Sequence, residues 1–372
     1  MGSLLPLVSA GLTRRVRARA TPVLAVALGL GLLAAATTSG GAIGAGAGPA
    51  VESALLALGI LAASVAVGSG GPLPSDRAAG VDGWLAASAA SPCALRATPA
   101  VAGAGLTVMA ACLGALAILF ALAVAGRMPG AEIMAHVPVS GPLRLVADAG
   151  AADTVLRIPD VEGGEVTVVL DGRTVFRTLD ATALTSVPVT VDAGAGPVVR
   201  SLPLRGASRL RFPAGATVRL RASNPDLSYV LREVAFVEGA RSPALNLLLA
   251  GLLLGLGLAV GAPLAALLSR FTSGPTAAAS AVTLLGIGVA HVPILGLASD
   301  AEGAVGGRAA GAVLRAASFL SPDLSGLMAL GDAARGRAIP AGAALLDLGP
   351  AFLHAAITTA LLLLGRTRRG HP

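Results

Sequence analysis

Residues 244–268 read ALNLLLAGLLLGLGLAVGAPLAALL, a long apolar run without a single charged side chain. About 20 apolar residues in a helix are enough to cross the hydrocarbon core of a bilayer. Further apolar runs lie on both sides of this one, so the sequence predicts an α-helical polytopic membrane protein. We place about six transmembrane helices, at residues 22–38, 51–68, 101–126, 244–268, 277–297 and 341–364.

The composition supports this interpretation. The 372 residues are 55% hydrophobic but only 2% aromatic, and the mean hydropathy is +0.80, more apolar than an ordinary soluble domain. The first run, residues 22–38, is short and follows four arginines, so a secretory signal peptide is its alternative interpretation. Residues 244–268 also contain glycines four positions apart, which in membrane helices favour close packing against a neighbour.

The charged residues exclude several function classes. The net charge of +7 is carried by arginine, because the chain has no lysine. A phosphate-binding P-loop requires a lysine, so we expect this chain not to be an enzyme by itself and to bind no ATP or other cofactor. One Trp and one Tyr offer little for stacking on bases, so nucleic acid is not an expected partner. Cys93 and Cys112 have no metal-ligand spacing, and no metal site is predicted.

Residues 131–240 differ from the rest of the chain. They contain 11 arginines and 12 acidic residues, and their apolar residues alternate with polar ones. Asp171-Gly172 lies between two such alternating stretches, which predicts a tight hairpin turn. About eight short strands predict an all-β, sandwich-like domain. The predicted organisation is helices 1–3 in residues 1–130, the β domain in 131–240, and helices 4–6 in 241–372.

Arginine placement predicts the orientation, because short cytoplasmic flanks are enriched in basic residues. With the N-terminus in the cytoplasm, the first outside loop, residues 39–50, has no arginine, while every inside segment has one or more. Residues 299–340 run against the rule with four arginines. The balance places both termini in the cytoplasm and the β domain outside it, in a multi-pass protein of the cell membrane.

The loop between the second and third predicted helices, within residues 70–100, carries charged residues, then a glycine, an acid and a large apolar pair. It resembles the cytoplasmic segment of ABC transporter permeases of the exporter-like second type. The resemblance implies a coupling-like loop that meets a separate ATPase subunit. An ordinary amphipathic connector is the alternative. The residues that match the family pattern are Asp76, Arg77, Gly80, Asp82, Trp84, Leu85 and Ser88.

A second stretch, residues 319–340, is similar to the extracytoplasmic segment before the last helix of those permeases. A plain loop of turn-forming residues is the alternative. If the resemblance holds, the chain is a permease subunit that works as a homodimer or beside a related permease, with ATP bound by the ATPase partner. The matching residues are Ser321, Pro322, Leu324, Ser325, Asp332, Gly336 and Arg337.

Three ionisable residues lie within predicted membrane helices, where desolvation makes charge costly and function the default hypothesis. His291, Asp347 and His354 form a possible intramembrane polar path. Asp347 and His354 are seven residues apart, hence on one helix face, and Pro350 between them predicts a kink. The alternatives are a hydrated Asp347 near the outer end and histidines bonded to backbone carbonyls. An intramembrane enzyme using Asp347 and His354 is a third, less favoured hypothesis.

Two functions therefore stand at this point. The first is the membrane-spanning permease subunit of an ATP-driven ABC exporter. The second is a membrane anchor that displays an extracytoplasmic β-sandwich binding module without any transport. The residues do not identify a transported substrate for the first function or a ligand for the second.

Overall fold

The computed structural model describes residues 48–70, 92–126, 128–147, 153–161, 164–176, 186–194, 196–224, 227–303 and 307–364. Predicted helix 22–38 lies outside these residues, as do the six candidate coupling residues Asp76, Arg77, Gly80, Asp82, Trp84 and Leu85. The chain divides into two compact units. The helical unit comprises Met1–Ala131 and Ser242–Pro372, and the β unit comprises Glu132–Arg241.

Three helical stretches in the described residues are long and apolar enough to cross a membrane. Val51–Ser69 lies in α1 (Gly48–Gly70), Thr98–Val124 in α2 (Pro92–Val124), and Pro243–Leu268 runs through α3 (Pro243–Ala259) and α4 (Gly261–Leu268). These three correspond to predicted helices 51–68, 101–126 and 244–268. A membrane protein is the class that these helices indicate.

Two further apolar stretches are bent pairs of helices. Helix α5 (Gly274–Val289) meets α6 (His291–Gly303) at 78°, and α9 (Ala341–Asp347) meets α10 (Gly349–Leu364) at 40°. If each pair is one span, the described residues contain five. The span predicted at 277–297 is therefore divided between two helices, and the kink expected at Pro350 is present. Proline explains both bends, because Pro293 and Pro350 have no N–H for the carbonyls of Val289 and Leu346.

Three short elements connect the bent pairs. Helix α7 spans Arg308–Leu320, a 3-10 helix spans Ser325–Ala329, and α8 spans Leu330–Ala334. Helix α7 packs mainly on α6, while the 3-10 helix contacts α3, α5 and α9. Leu324 and Leu327, at and beside the 3-10 helix, belong to the main apolar core of the helical unit together with residues of α1, α2 and α3. This connection is therefore an integral part of the helical unit.

Glycine brings α3 against α2. A Cβ placed on Gly255 would lie 2.9 Å from Val108 Cα and 3.0 Å from Ala111 Cβ, and one on Gly251 would overlap Ala115. The glycines four positions apart thus allow the two backbones to approach closely, as small residues do in membrane helices. Large aliphatic side chains such as Leu58 and Ile118 fill the core around this contact.

In the residues that the structure describes, the β unit consists of two antiparallel five-stranded sheets. One sheet has the order β1-β10-β5-β8, with β3 also paired to β10, and the other has the order β2-β4-β9-β6-β7. Buried residues from both sheets form a single core, for example Val168 and Leu231 from the first and Val187 and Leu220 from the second. The strands are Glu132–His136 (β1), Val139–Ser140 (β2), Arg144–Leu145 (β3), Thr154–Arg157 (β4), Glu165–Phe176 (β5), Ser186–Asp192 (β6), Pro197–Pro203 (β7), Arg205–Pro213 (β8), Thr217–Ala222 (β9) and Leu227–Ala240 (β10).

The hairpin predicted at Asp171-Gly172 is wrong, because β5 continues through both residues. Gly172 pairs with Leu231 of β10 on one side and with Gly206 of β8 on the other. The ring of Tyr229 lies directly over Gly172, where a Cβ would collide with the ring and stand 2.7 Å from the Val230 carbonyl oxygen. Glycine within a strand often marks such a close approach rather than a turn.

Tyr229 is fully buried in the β-unit core. Burial, and to a smaller degree the Asp171 carboxylate, raises the pKa of the Tyr229 hydroxyl above its ordinary value of 10.0. The folded state thus holds the phenolic proton more tightly than the unfolded state does. The resulting stabilisation is complete below the ordinary pKa and is lost as the pH rises through the raised one.

We predict that the stability of the β unit falls as the pH rises above about 10. Residues 131–240 contain no lysine or cysteine and no second tyrosine, so Tyr229 alone titrates there in this range. Tyrosinate absorbance should show a higher midpoint in the folded protein than after unfolding in denaturant. Asp171→Asn should lower the folded midpoint. A folded midpoint at or below the unfolded one would contradict the prediction.

Candidate functional site between the bent helices

The sequence-matched stretch that the structure describes is the connecting segment, defined here as residues 321–340. It lies between α7 and α9 and includes the 3-10 helix and α8. Of the seven residues matched in this stretch, Ser321, Pro322 and Leu324 are buried, and the others are half-buried. A solvent loop would expose such residues, so the segment's burial calls for a structural explanation.

The first part of the connecting segment docks onto the bend between α5 and α6. The backbone N–H of Leu324 donates to the carbonyl of Gly288, at 3.1 Å. Gly288 lies one residue from the end of α5, and a Cβ there would overlap the carbonyl oxygen of Pro322. Gly288 therefore permits this docking, since any side chain would displace the segment from the helix.

The middle of the segment packs on α3. The side chain of Leu327 is 7% exposed, and a Cβ on Gly257 would lie 2.9 Å from Leu327 Cδ2. The absence of a side chain at Gly257 thus leaves room for the Leu327 side chain on the surface of α3. On its other side the 3-10 helix meets α9, where a Cβ on Gly326 would lie 3.0 Å from the Ala344 carbonyl oxygen. The segment is held between two apolar helices.

The last part of the segment is clamped by Asn246 of α3, which is 2% exposed. The Asn246 side-chain amide donates to the carbonyl of Arg337, and its oxygen accepts from the N–H of Ile339, both at 2.8 Å. One buried amide thus satisfies both the donor and the acceptor of an extended stretch of backbone, as buried polar groups require. Gly336, with φ of +77°, lies close to Gly130 beside this clamp.

His291, the first residue of α6, joins a polar junction. Its Nδ1 and the Ser318 hydroxyl are 2.8 Å apart, and its Nε2 is 3.9 Å from Asp323 Oδ2. Asp323 Oδ1 also accepts from the Ser325 N–H at 2.9 Å. The junction ties α6, α7 and the connecting segment together at the bend.

The other two residues of the predicted polar path lie elsewhere. Asp347 is exposed at the end of α9, and His354 is half-buried on α10. The break at Leu348 separates them, so they do not share one uninterrupted helix. Within the described part of the chain, no side-chain hydrogen bond or ion pair joins either residue to His291. The structure thus gives His291 the partners Ser318 and Asp323, and a polar path through all three residues stays a prediction.

The Ser318–His291–Asp323 junction has the residue types of a hydrolase triad but a different geometry. Ser318 is 2% exposed, which leaves no access for a substrate, and 3.9 Å is too long for a hydrogen bond between histidine and carboxylate. The arrangement suits a structural contact that joins α6, α7 and the connecting segment. No group of three or more His, Cys, Asp or Glu residues in the described ranges is placed to hold a metal ion.

An apolar groove of about 620 Å³ runs between α2, the α3–α4 junction and α10. Its walls carry mainly small residues, such as Ala104 and Gly105 of α2 and Ala356 of α10. Thr359 supplies the single hydroxyl among the lining residues, so the groove suits hydrocarbon rather than a charged group.

No protein-family model, no curated protein sequence and no solved structure matches this chain. The residues that organise the site were therefore identified from the structure. Asn246 and Gly288 were not among the residues singled out by sequence pattern, whereas Gly257 is one of the glycines four positions apart in residues 244–268. Asn246 carried a usable signal, since it is the one polar side chain in the run 244–260, and a polar residue in such a run calls for a partner.

We predict that Asn246→Leu loosens the connecting segment. The substitution removes the two hydrogen bonds that the Asn246 amide makes to the Arg337 carbonyl and the Ile339 N–H, each of which contributes about 1 kcal/mol. Hydrogen exchange of the detergent-solubilised protein should become at least about tenfold faster in peptides covering 337–340.

The matched control for this prediction is Thr283→Val. Thr283 is exposed on α5, and its hydroxyl bonds only to the Ala279 carbonyl of its own helix. This variant should leave exchange at 337–340 unchanged. Equal exchange rates for Asn246→Leu and the wild type would show that the amide does not hold the segment.

Proposed function

We propose that this chain is the membrane-spanning permease subunit of an ATP-driven exporter, of the exporter-like second type of ABC transporters that it resembles. The observation that carries the proposal is the burial of the connecting segment. The stretch similar to the permeases' extracytoplasmic segment packs into the helical core through Leu324 and Leu327 and is clamped by Asn246. The alternative, a plain loop of turn-forming residues, would not require these contacts.

The proposed topology has six transmembrane helices, with residues 22–38 as the first and each bent pair as one span. Both termini lie in the cytoplasm, and the β unit, a sandwich of two sheets, lies outside the cell membrane. The arginine distribution supports this orientation, and the apolar helices of the described residues support the span number. A homodimer or a pair with a related permease completes the transport unit.

The proposed mechanism is mechanical coupling. A separate ATPase subunit binds ATP and moves the loop within residues 70–100, which joins α1 to α2. Helix α1 packs against α2, α3, α4, α5 and α8, so a displacement at its cytoplasmic end reaches most of the helical unit. Rigid-body movement of packed helices is a common form of such transitions.

The membrane anchor remains the second candidate, and one observation favours it. The β unit has a hydrophobic core of its own, formed by residues of both its sheets, as expected of a displayed binding module. The anchor and the permease differ in whether the chain associates with an ATPase.

We predict that the β unit and the α4–α5 connection lie on opposite sides of the membrane. With Cys93 and Cys112 replaced by Ser, Thr217→Cys should react with a membrane-impermeant maleimide added to intact cells. Phe271→Cys, at a position that is 78% exposed, should react only after the membrane is opened. Both positions are exposed in the structure, so access depends on the membrane. The reverse labelling pattern would overturn the orientation.

We predict that the wild-type chain co-purifies from detergent with an ATPase subunit and that Trp84→Ala/Leu85→Ala weakens this association. Apolar anchors at an interface often contribute about 2 kcal/mol or more each, so retention of the ATPase should fall more than tenfold. Membrane insertion should be unchanged, because neither residue lies in a predicted span.

Phe319→Ala is the control for the coupling test. Phe319 is 86% exposed and lies on the side opposite to the ATPase in the proposed topology, so its removal should leave the complex intact. Equal retention by the double variant and the wild type would remove Trp84 and Leu85 from the mechanism. A wild-type chain that captures no ATPase would favour the anchor.

A further inference from the structure

One edge of the β unit contains a cleft. Among the described strands, β8 is an edge strand of the first sheet and β7 an edge strand of the second, and the two follow each other in the chain. With β6 they enclose a cleft of about 430 Å³. Its lining includes Arg200 from β7 and Arg209 and Arg211 from β8.

The charge of this cleft is one-sided. Among the described residues that line it, three are arginines and none is acidic, although residues 131–240 as a whole contain 11 arginines and 12 acidic residues. The positive charges of these three lining residues repel one another. The asymmetry is therefore local, and it creates a positive potential that an anion would relieve.

Acidic side chains of the protein compensate the positive charge of the cleft only in part. Arg209 donates to Glu132 at 2.6 Å and its side chain stays 58% exposed. In the described ranges, neither Arg200 nor Arg211 has an ion pair or a hydrogen-bonded side-chain partner. Asp192, which follows Val191 of the lining, lies opposite Arg219 in the strand register and accepts a hydrogen bond from the Gly194 N–H.

The remaining walls are apolar. Val198 is 50% exposed, whereas Phe212 is only 5% exposed. Leu210, which follows Arg209 and precedes Arg211 in β8, is half-buried. Guanidinium groups present paired N–H donors that match the oxygens of phosphate, sulfate or carboxylate. A ligand that uses both features has an oxyanionic group joined to an apolar body.

We propose that this cleft is a binding site for an amphipathic oxyanion, held through its charged group by Arg200, Arg209 and Arg211 and through its apolar part by Val198 and Leu210. The site goes beyond the proposed permease function and does not depend on it. A soluble anion and the head group of an anionic lipid share this chemistry. Charged residues on edge strands can also serve only to prevent edge-to-edge pairing, and the test separates this role from ligand binding.

The test is calorimetric titration of the full-length protein in an uncharged detergent with phenyl phosphate, which carries both features. Saturable binding is expected, with weaker binding of inorganic phosphate and none of phenol. Raising the salt concentration should weaken the binding, because the contacts are exposed and screened. Absence of saturable phenyl phosphate binding would overturn the proposal.

Matched variants show whether the cleft itself binds. Arg200→Gln/Arg211→Gln should weaken phenyl phosphate at least about tenfold, the equivalent of 1.4 kcal/mol. Arg157→Gln/Arg173→Gln removes the same charge from exposed strand positions outside the cleft and should change the affinity less than about twofold. Equal losses in the two variants, or no loss in the first, would overturn the site. The Tyr229 tyrosinate midpoint, unchanged in both, reports that the β unit is folded.

Bilayer discs identify the source of the anion. If the cleft takes a lipid head group, discs containing phosphatidylglycerol should bind phenyl phosphate more weakly than discs of phosphatidylcholine alone. If the cleft takes a soluble anion, the protein should bind phenyl phosphate equally well in both kinds of disc. Either result supports the cleft as the site when the Arg200→Gln/Arg211→Gln variant no longer binds phenyl phosphate. Binding that persists in that variant in both kinds of disc would refute the assignment.

Discussion

The close approach of α3 to α2 is the contact on which the rest of the helical unit depends. With only 2% aromatic residues, the chain has few large side chains to fill gaps between helices. Gly251 and Gly255 instead bring the α3 backbone against Val108, Ala111 and Ala115 of α2. Between apolar helices in lipid, the gain comes from such van der Waals contact rather than from removing apolar surface from water. Once α3 is fixed, Asn246 and Gly257 on it are in position to receive the connecting segment.

Proline and glycine together determine where that segment docks. Pro263, Pro293 and Pro350 each lie two or three residues after a helix break, at Val260, Ala290 and Leu348 respectively. Each lacks the N–H that would continue the helix across the break. A break frees backbone groups that need partners in an apolar surrounding. Gly288, beside the second break, accepts the Leu324 N–H, so the bend and the docking of the segment belong to one arrangement.

Hydropathy predicted the described membrane helices well, because length and apolar composition are physical requirements for a span. It could not predict that 277–297 bends by 78°, since the effect of Pro293 depends on which groups donate hydrogen bonds to the freed carbonyls. The hairpin at Asp171-Gly172 failed for a related reason. Local preference favours a turn there, but the long-range packing of Tyr229 over Gly172 determines the strand. His291 was singled out from the sequence as part of a possible polar path, whereas its partners Ser318 and Asp323 are distant in sequence and became visible only in the fold.

The geometry of the helical unit gives the proposed coupling two routes to the connecting segment. One runs through the direct packing of α1 on α8. The other runs from α1 and α2 through α3, whose Asn246 and Gly257 hold the segment at two points. A displacement of α3 that begins at the loop between α1 and α2 therefore strains the two hydrogen bonds that Asn246 makes to the connecting segment. Leu324 of the segment is also hydrogen-bonded to Gly288, so the displacement reaches the bend between α5 and α6. At this bend the helix has no continuous hydrogen-bond ladder. In the proposed coupling, the bend is thus a place in the described structure where a displacement of α3 changes the angle between two helices.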